Sequence, residues 1–485
     1  MKQCKIIVKD EVNVKIEGLE LSERKALMKM FEYEIPGARY LPAVRLGRWN
    51  GKVSYFSLAG STYINLLPEI LPYLDKVGYD IELEDLRDYS TTFTFDKVSE
   101  DTFKDKNWPK GHTKEGTPVV LRDYQIELVN NFLENPQSLQ EIATGAGKTL
   151  MTAALSNSVE KYGRSIVIVP NKSLVTQTEA DYINLGLDVG VYFGDRKEYN
   201  KTHTICTWQS LNNMLKKTKA GEAEVEIGDF IEGVVCVMVD EVHMAKADAL
   251  KTLLTGVFAK VPIRWGLTGT IPKAKFEAQS ISVSLGNVIG KLSASELQDQ
   301  GVLARCYVNI MQLQDGKEFT NYQSELKHLL EDSERLDKIA SLINGINDTG
   351  NTLILVDRVN AGKEIVSRLP GSVFVSGATN MNERKEEYDE VATSTNKIIV
   401  ATYGVAAVGI NIPRIFNLVL IEPGKSFVRV IQSIGRGIRK AEDKDHVQIY
   451  DITSSCKFAK RHLTQRKAFY KEANYPFDVE KLTYR

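Results

Sequence analysis

Leu139-Gln140-Glu141-Ile142-Ala143-Thr144-Gly145-Ala146-Gly147-Lys148-Thr149-Leu150 is the stretch on which the fold turns. Leu139–Ala143 reads as a buried strand, and a helix is expected over Leu150–Lys161. Between them, a turn this rich in glycine lets successive backbone N–H groups point inward at phosphate oxygens, and the helix N-terminus adds a favourable field. Thr144, Gly145, Ala146 and Gly147 would form the cradle. Lys148 would reach the β- and γ-phosphates of a nucleotide, and Thr149 would hold Mg²⁺. A plain glycine turn that happens to contain Lys-Thr is the bland alternative; the strand before it and the helix after it argue against that.

Outward from this loop, short apolar runs alternate with helical spacing. Ser165–Pro170, Thr204–Thr207, Val234–Val239 and Trp265–Thr268 read as further strands. Apolar strands separated by helices mark a parallel sheet covered on both faces. A second series follows Gly301: Thr352–Val356, Val373–Val375, Lys397–Ala401, Leu418–Ile421 and Val447–Tyr450. Val234–Val239 runs into Asp240-Glu241-Val242-His243, which places Asp240 at the strand end where open α/β sheets bind ligands. Asp240 suits the Mg²⁺ shell, and Glu241 suits the orientation and deprotonation of an attacking water. A solvated acidic turn is the commoner meaning of such a pair taken alone. His243 reads as a structural hydrogen-bonding residue.

Composition closes off several classes. The chain has 485 residues, enough for two to four domains. A 43% hydrophobic share with 26% charged residues excludes disorder as the main state. No apolar run approaches the roughly 20 residues of a membrane span, and the N-terminus shows no signal-peptide core, so a cytoplasmic protein is expected. Cys4, Cys206, Cys236, Cys306 and Cys456 form no CxxC pair and read as reduced, buried thiols. The net charge of −1 says little about partners, because a nucleic-acid binder can confine its basic residues to one face.

In the second series, Gln432-Ser433-Ile434-Gly435-Arg436-Gly437-Ile438-Arg439 sets two arginines on one face if helical. Permanently charged guanidinium groups suit a transferring phosphoryl group. Taken together, these motifs resemble superfamily 2 helicases and translocases over roughly Leu121 to Ile452. The resemblance implies two tandem RecA-like domains closing on ATP. Leu121-Arg122-Asp123-Tyr124-Gln125 resembles the adenine-reading segment, with Gln125 as the base contact. Val169-Pro170-Asn171-Lys172-Ser173-Leu174 and Thr207-Trp208-Gln209-Ser210-Leu211 resemble strand-tracking motifs. Leu267-Thr268-Gly269-Thr270 resembles the motif coupling hydrolysis to domain movement, a role that Gln432 would share. Thr402 and, further on, Gly409 and Asn411 resemble a motif touching nucleic acid and nucleotide. Arg436 and Arg439 are then candidate arginine fingers.

The departures are informative. Ile142 stands where the family usually has Ala or Gly. Asp-Glu-Val-His, Leu-Thr-Gly-Thr and Pro-Asn-Lys-Ser-Leu replace the Asp-Glu-Ala-Asp, Ser-Ala-Thr and Pro-Thr-Arg-Glu-Leu of RNA-unwinding DEAD-box proteins, which moves the expectation from RNA to DNA.

Ahead of the motor, residues 1–103 read as a small α+β domain, with strands at Cys4–Lys9 and Val12–Ile16 and a Ser-capped helix over Ser22–Phe31. Its stretch from Ala38 to Lys52 carries Arg39, Arg45, Arg48 and Lys52 around Tyr40 and Trp49. Basic side chains neutralise phosphates while aromatics stack on bases. This stretch is similar to the UvsW-type helicases of tailed bacteriophages, which remodel branched DNA. Core aromatics with a solvated basic rim are the alternative. The expected order is an N-terminal DNA-engaging domain (1–103), a linker (104–117), RecA-like domains over 118–297 and 298–455, and a basic tail (456–485). The tail is either a DNA-tracking face or a solvated helix packed on the second domain. The expected function is an ATP- and Mg²⁺-dependent DNA helicase, 3′ to 5′ by resemblance, acting as a monomer on forks and four-way junctions. A duplex translocase is the runner-up. An inactive scaffold is disfavoured by the joint presence of Lys148, Asp240, Glu241, Arg436 and Arg439.

Overall fold

Alternating burial builds the first sheet. Strands β1 (Lys2–Val8) and β2 (Asn13–Glu17) turn Cys4, Ile6, Val8, Val14 and Ile16 inward. Helix α1 (Leu21–Met30) follows, then β3 (Glu32–Glu34), α2 (Pro42–Arg45), β4 (Lys52–Ser54), β5 (Ser61–Tyr63), α3 (Leu67–Lys76) and β6 (Tyr79–Asp85). The sheet order is β5-β2-β1-β6, with β3 and β4 as a separate ribbon. Leu27, Ile70 and Leu74 seal the core beneath the sheet. The Ser22 cap expected from sequence is not formed: Glu20 is the N-cap, without a side-chain bond, and the Ser22 hydroxyl engages Glu23 instead.

The first parallel sheet is assembled from α4 (Asp123–Glu134), β7 (Gln137–Ile142), α5 (Lys148–Val159), β8 (Arg164–Val169), α6 (Lys172–Asn184), β9 (Val189–Phe193), β10 (Arg196–Lys197), β11 (His203–Thr207), α7 (Trp208–Ala220), α8 (Ile227–Ile231), β12 (Val234–Asp240), α9 (Ala247–Thr255), β13 (Ile263–Thr268), α10 (Lys275–Leu285) and β14 (Asn287–Leu292). Its order is β10-β9-β11-β8-β12-β13-β7-β14. Because β8, β11, β12 and β13 run parallel to one another, Val169, Thr207, Asp240 and Thr268 all finish at the same edge.

The second sheet contains β15 (Arg305–Leu313), β16 (Thr352–Val356), β17 (Val373–Val375), β18 (Ile398–Thr402), β19 (Asn417–Ile421), β20 (His446–Ser454) and β21 (Phe477–Leu482), in the order β17-β18-β16-β19-β20-β15-β21. The fold is α/β, with two RecA-like sheets behind an α+β module. The C-terminal residues are part of the second sheet's body. Helix Lys457–Glu472 leads into β21, which pairs in parallel with β15. Arg466 and Tyr470 of this helix are buried on Asp451, at 2.8 and 2.9 Å from the guanidinium and 2.6 Å from the phenol. Arg466 is therefore committed to an internal ion pair and does not belong to a basic surface.

The computed structural model describes residues 2–484 except 111, 113, 243–246, 347–348, 378, 380, 410–413, 426–429, 431–432, 436–440 and 442–443. The chain divides into one unit of residues 1–142 and 147–291 and another of 143–146 and 292–485. No helix among the described residues is long and apolar enough to cross a membrane. All five cysteines are free and buried, as read from their spacing.

Candidate active site

The phosphate loop joins β7 to α5. Gly145 and Gly147 have φ of +92° and +82°, a region that costs glycine nothing and other residues roughly 1–2 kcal/mol. At Gly147 there is also no room: a Cβ would lie 2.5 Å from Gln125 Nε2. Gln125 is buried in the first turn of α4, and its carbonyl oxygen accepts from Arg122 N at 2.9 Å. The amide end of the side chain read as a base contact is thus packed against the loop that follows β7.

Lys148 opens α5. Its Nζ donates to Glu241 Oε1 at 2.6 Å and to the carbonyl of Ile142 at 3.3 Å. Glu241 Oε2 accepts from Gly269 N at 3.2 Å. One buried carboxylate therefore links the phosphate-loop lysine to the segment after β13. Glu241 holds a φ of +52°, a conformation rare outside glycine that persists because both of its oxygens are engaged. Thr268 stabilises the same turn: its Oγ1 donates to Thr270 O at 2.8 Å and accepts from Thr270 N at 3.3 Å. Thr149 and Asp240 offer hydroxyl and carboxylate oxygen, the hard donors Mg²⁺ prefers. Two glycines able to turn amides inward, a lysine and this oxygen pair fit a Mg²⁺–nucleotide.

At the same sheet edge, β8 and β11 are neighbours, and the segments after them carry Pro170, Asn171, Lys172 and Thr207, Trp208, Gln209. Asn171 Oδ1 caps α6 by accepting from Leu174 N at 3.0 Å, and Thr207 Oγ1 caps α7. Asn171 Nδ2 and Trp208 Nε1 are both buried donors without an acceptor among the described residues. Lys172 and Gln209 are exposed.

In the N-terminal module, Arg45 and Arg48 are exposed, whereas Lys52 is held by Glu32 at 2.9 Å. Tyr40 is 68% exposed. Trp49 is partly buried, with its indole N–H closing the loop on Lys52 O at 3.0 Å. In the second unit, Thr402 ends β18, with its Oγ1 accepting from Val405 N at 3.4 Å, and Gly409 ends the helix Tyr403–Gly409. His243, Asn411, Gln432, Arg436 and Arg439 lie outside the described residues.

Comparison with known proteins bears on this edge. The family model of type III restriction enzyme res subunits matches residues 118–273, and that of the helicase conserved C-terminal domain matches 334–441, together more than half of the chain. The chain belongs to the superfamily 2 helicases. It is 24% identical over 491 residues to the ATP-dependent DNA helicase uvsW of Enterobacteria phage T4, covering 96% of this chain and 93% of that protein. A DNA 3′-5′ helicase XPB of Kineococcus radiotolerans is 23% identical over 372 residues, 74% of this chain and 64% of its own length. In fold, a fragment of a putative HsdR subunit of a type I restriction enzyme from Vibrio vulnificus superposes with a TM-score of 0.56 at 18% identity, over 75% of this chain and 69% of that one. Like other superfamily 2 helicases, the chain is an ATP-dependent enzyme.

Proposed function

We propose that this ATP-dependent DNA helicase unwinds or branch-migrates forked and four-way DNA, moving 3′ to 5′ as a monomer in the cytoplasm. The observation that carries the reading is the chain of buried contacts from Lys148 through Glu241 to Gly269. Lys148 is a phosphate ligand held on a carboxylate until a phosphate replaces it. When Lys148 turns to the β- and γ-phosphates, Glu241 loses its cation and is free to orient and deprotonate water. Its second oxygen sits on Gly269, so the change is felt in the Thr268–Thr270 turn, the part of the domain assigned to coupling. Mg²⁺ held by Thr149 and Asp240 would neutralise charge on the same phosphates. Gln125 serves the base, and Thr144, Gly145, Ala146 and Gly147 the phosphates. By resemblance, Gly409 and Asn411 serve nucleotide and nucleic acid, Gln432 coupling, and Arg436 and Arg439 the transferring phosphoryl group.

For DNA, the supporting features are the donors of Asn171 and Trp208, the neighbouring Pro170, Lys172, Thr207 and Gln209, and Thr402. Preference for branches is supported by the exposed Arg45, Arg48 and Tyr40 of one stretch, with Trp49 and Lys52 shaping its loop. The test is ATP hydrolysis without DNA and with single strand, plain duplex, fork and four-way junction, each beside Glu241→Gln. Branched DNA should stimulate most, and the variant should bind ATP without turnover. Equal stimulation by plain duplex would replace this reading with a duplex translocase. Unwinding of 5′-tailed rather than 3′-tailed duplex would reverse the direction.

A further inference from the structure

A groove beside the strand-tracking edge remains unused by the reading above. One wall is α7, on which Ser210, Asn213, Met214 and Lys217 fall at i, i+3, i+4 and i+7 and so share a face. The other wall is the hairpin of β9 and β10 with Tyr192 and Lys197. Together they line a cavity of about 320 Å³. Tyr192 and Met214 are buried in its floor. Lys197 Nζ stands 4.4 Å from the Tyr192 ring centroid.

The charges on the rim are uncommitted. Arg196, next along the hairpin, is neutralised by Glu179 at 2.6 Å and Glu198 at 2.8 Å. Lys197, Lys216 and Lys217 are exposed, and none is paired with a carboxylate of the described residues. One acid, Glu224, also lines the groove. The groove is continuous with the edge already described: Ser210 shares the Thr207 cap at 2.9 Å, and a Cβ on Gly194 in the hairpin turn would lie 3.7 Å from Lys172 Nζ.

Free ammonium groups over an aromatic and apolar floor, flanked by a hydroxyl and a carboxamide, match the sugar–phosphate backbone of nucleic acid. Ammonium groups act there as point charges for phosphate, and Ser and Asn hydrogen-bond phosphate or sugar oxygens without reading sequence. The cavity is near the small end of ligand sites, about 300 Å³, which admits a piece of one strand and not a duplex. We propose that the groove between the β9–β10 hairpin and α7 is a subsite for the backbone of a single DNA strand, bound by Lys197, Lys216 and Lys217. The inference rests on the DNA-helicase reading and adds a site to it.

The experiment is lysine acylation of the full chain, read residue by residue by mass spectrometry, with and without single-stranded oligothymidylate. DNA should lower acylation of Lys197, Lys216 and Lys217 severalfold, together with that of Lys172. In parallel, replacing the three by Ala should lower the slope of log K against log salt by about 2, at roughly 0.7 per phosphate contact on single strands. The three Arg replacements should keep the slope. An unchanged thermal midpoint in the Ala protein excludes misfolding as the cause. If DNA protects Lys172 but leaves the three groove lysines equally reactive, the groove proposal falls and the helicase reading stands. If the unmodified protein binds no DNA, both fall.

Discussion

Asp181 in α6 has no cation among the described residues close enough to hold its charge, and burial alone lifts its carboxyl from 3.8 to about 6. The sign follows from proton binding. Between those two values the folded chain holds the Asp181 proton more tightly than the unfolded chain does, so this group's contribution to stability is fully present below 3.8 and is lost as pH rises towards 6. Asp181→Asn should therefore stabilise the protein at pH 8 by about 1–3 kcal/mol, since a tenfold difference in proton affinity between folded and unfolded chains corresponds to about 1.4 kcal/mol. At pH 4 the gain should largely vanish. Urea midpoints at the two pH values check this, and an equal gain at both would mean that proton linkage is not the cause. Lys148 and Glu241 show the opposite solution to burial. They are enclosed too, with side chains 9% and 8% exposed, but each charge has the other as partner at 2.6 Å. A buried pair of this kind contributes little net stability, and removing one member leaves the other stranded. Its persistence beside the phosphate loop is better understood as storage of two reactive groups than as reinforcement of the fold.

At the scale of elements, the helix Lys457–Glu472 shows what composition hides. Its first amides, Phe458 N and Ala459 N, donate to Glu325, a fully buried carboxylate on the helix Tyr322–Glu331, at 2.9 and 2.6 Å. An acid at a helix N-terminus satisfies orphan donors and meets the positive end of the dipole. Glu325→Ala should cost about 2 kcal/mol or more, because charge-assisted bonds are lost and two N–H groups are left dry. Glu325→Gln should cost less, since one oxygen still accepts. Chemical denaturation measures both, and an Ala variant as stable as the parent would rule out the cap as a stabilising contact. From sequence, this stretch reads as a run of basic residues, with nothing to separate Arg466 from Lys467. The distinction needs Asp451, fifteen residues upstream on β20, to which only the folded chain brings Arg466. Elements with continuous apolar runs are legible: the strands from β7 to β13 that end in motif residues lie within one or two residues of where those runs put them. Short or one-sided strands are not. β10 has two exposed residues, and β21 is exposed over most of its length, so neither produces an apolar signal. The site divides in the same way. Lys148, Asp240 and Glu241 are visible in the sequence because loop chemistry demands particular residues. Lys197 and Lys217 are not, because a free lysine and a paired one look identical until their partners are known.

At the scale of the whole first unit, the N-terminal module does not stand apart from the RecA-like domain that follows it. Glu11 N donates to Ala259 O at 3.0 Å while Glu11 Oε2 accepts from Gln137 Nε2 at 2.8 Å, and Asn13 Nδ2 donates to Thr255 O at 2.8 Å. The densest docking is on α10. Tyr55 OH donates to Phe276 O at 2.6 Å, Asn65 Nδ2 to Ser282 O at 2.7 Å, and Val283 joins the module's own apolar core. Lys251 of α9 lies over the rings of Tyr55 and Tyr63, at 4.5 and 5.3 Å. That platform is itself pinned from below. Arg264 on β13 is fully buried and donates to the carbonyls of Leu254, Phe258, Val261 and Ser284, which holds the ends of α9 and α10 together. Burial pulls its guanidinium down to about 10, so it stays charged at any ordinary pH. Because α10 begins five residues beyond Thr270, the module rests on the helix that follows the turn bonded to Glu241. With cores and hydrogen bonds shared in this way, residues 1–103 and the first RecA-like domain should unfold in one cooperative step. Calorimetry of the full chain should therefore show no separate transition for the module. Tyr55→Phe with Asn65→Ala removes two interface bonds at about 1 kcal/mol each and should lower that shared transition by about 4–8 °C, at roughly 2–4 °C per kcal/mol for domains of this size. A module that already melts independently in the unaltered protein, or a double variant that shifts nothing, would show that α10 is only a resting place and that the module is free to move without the motor beneath it.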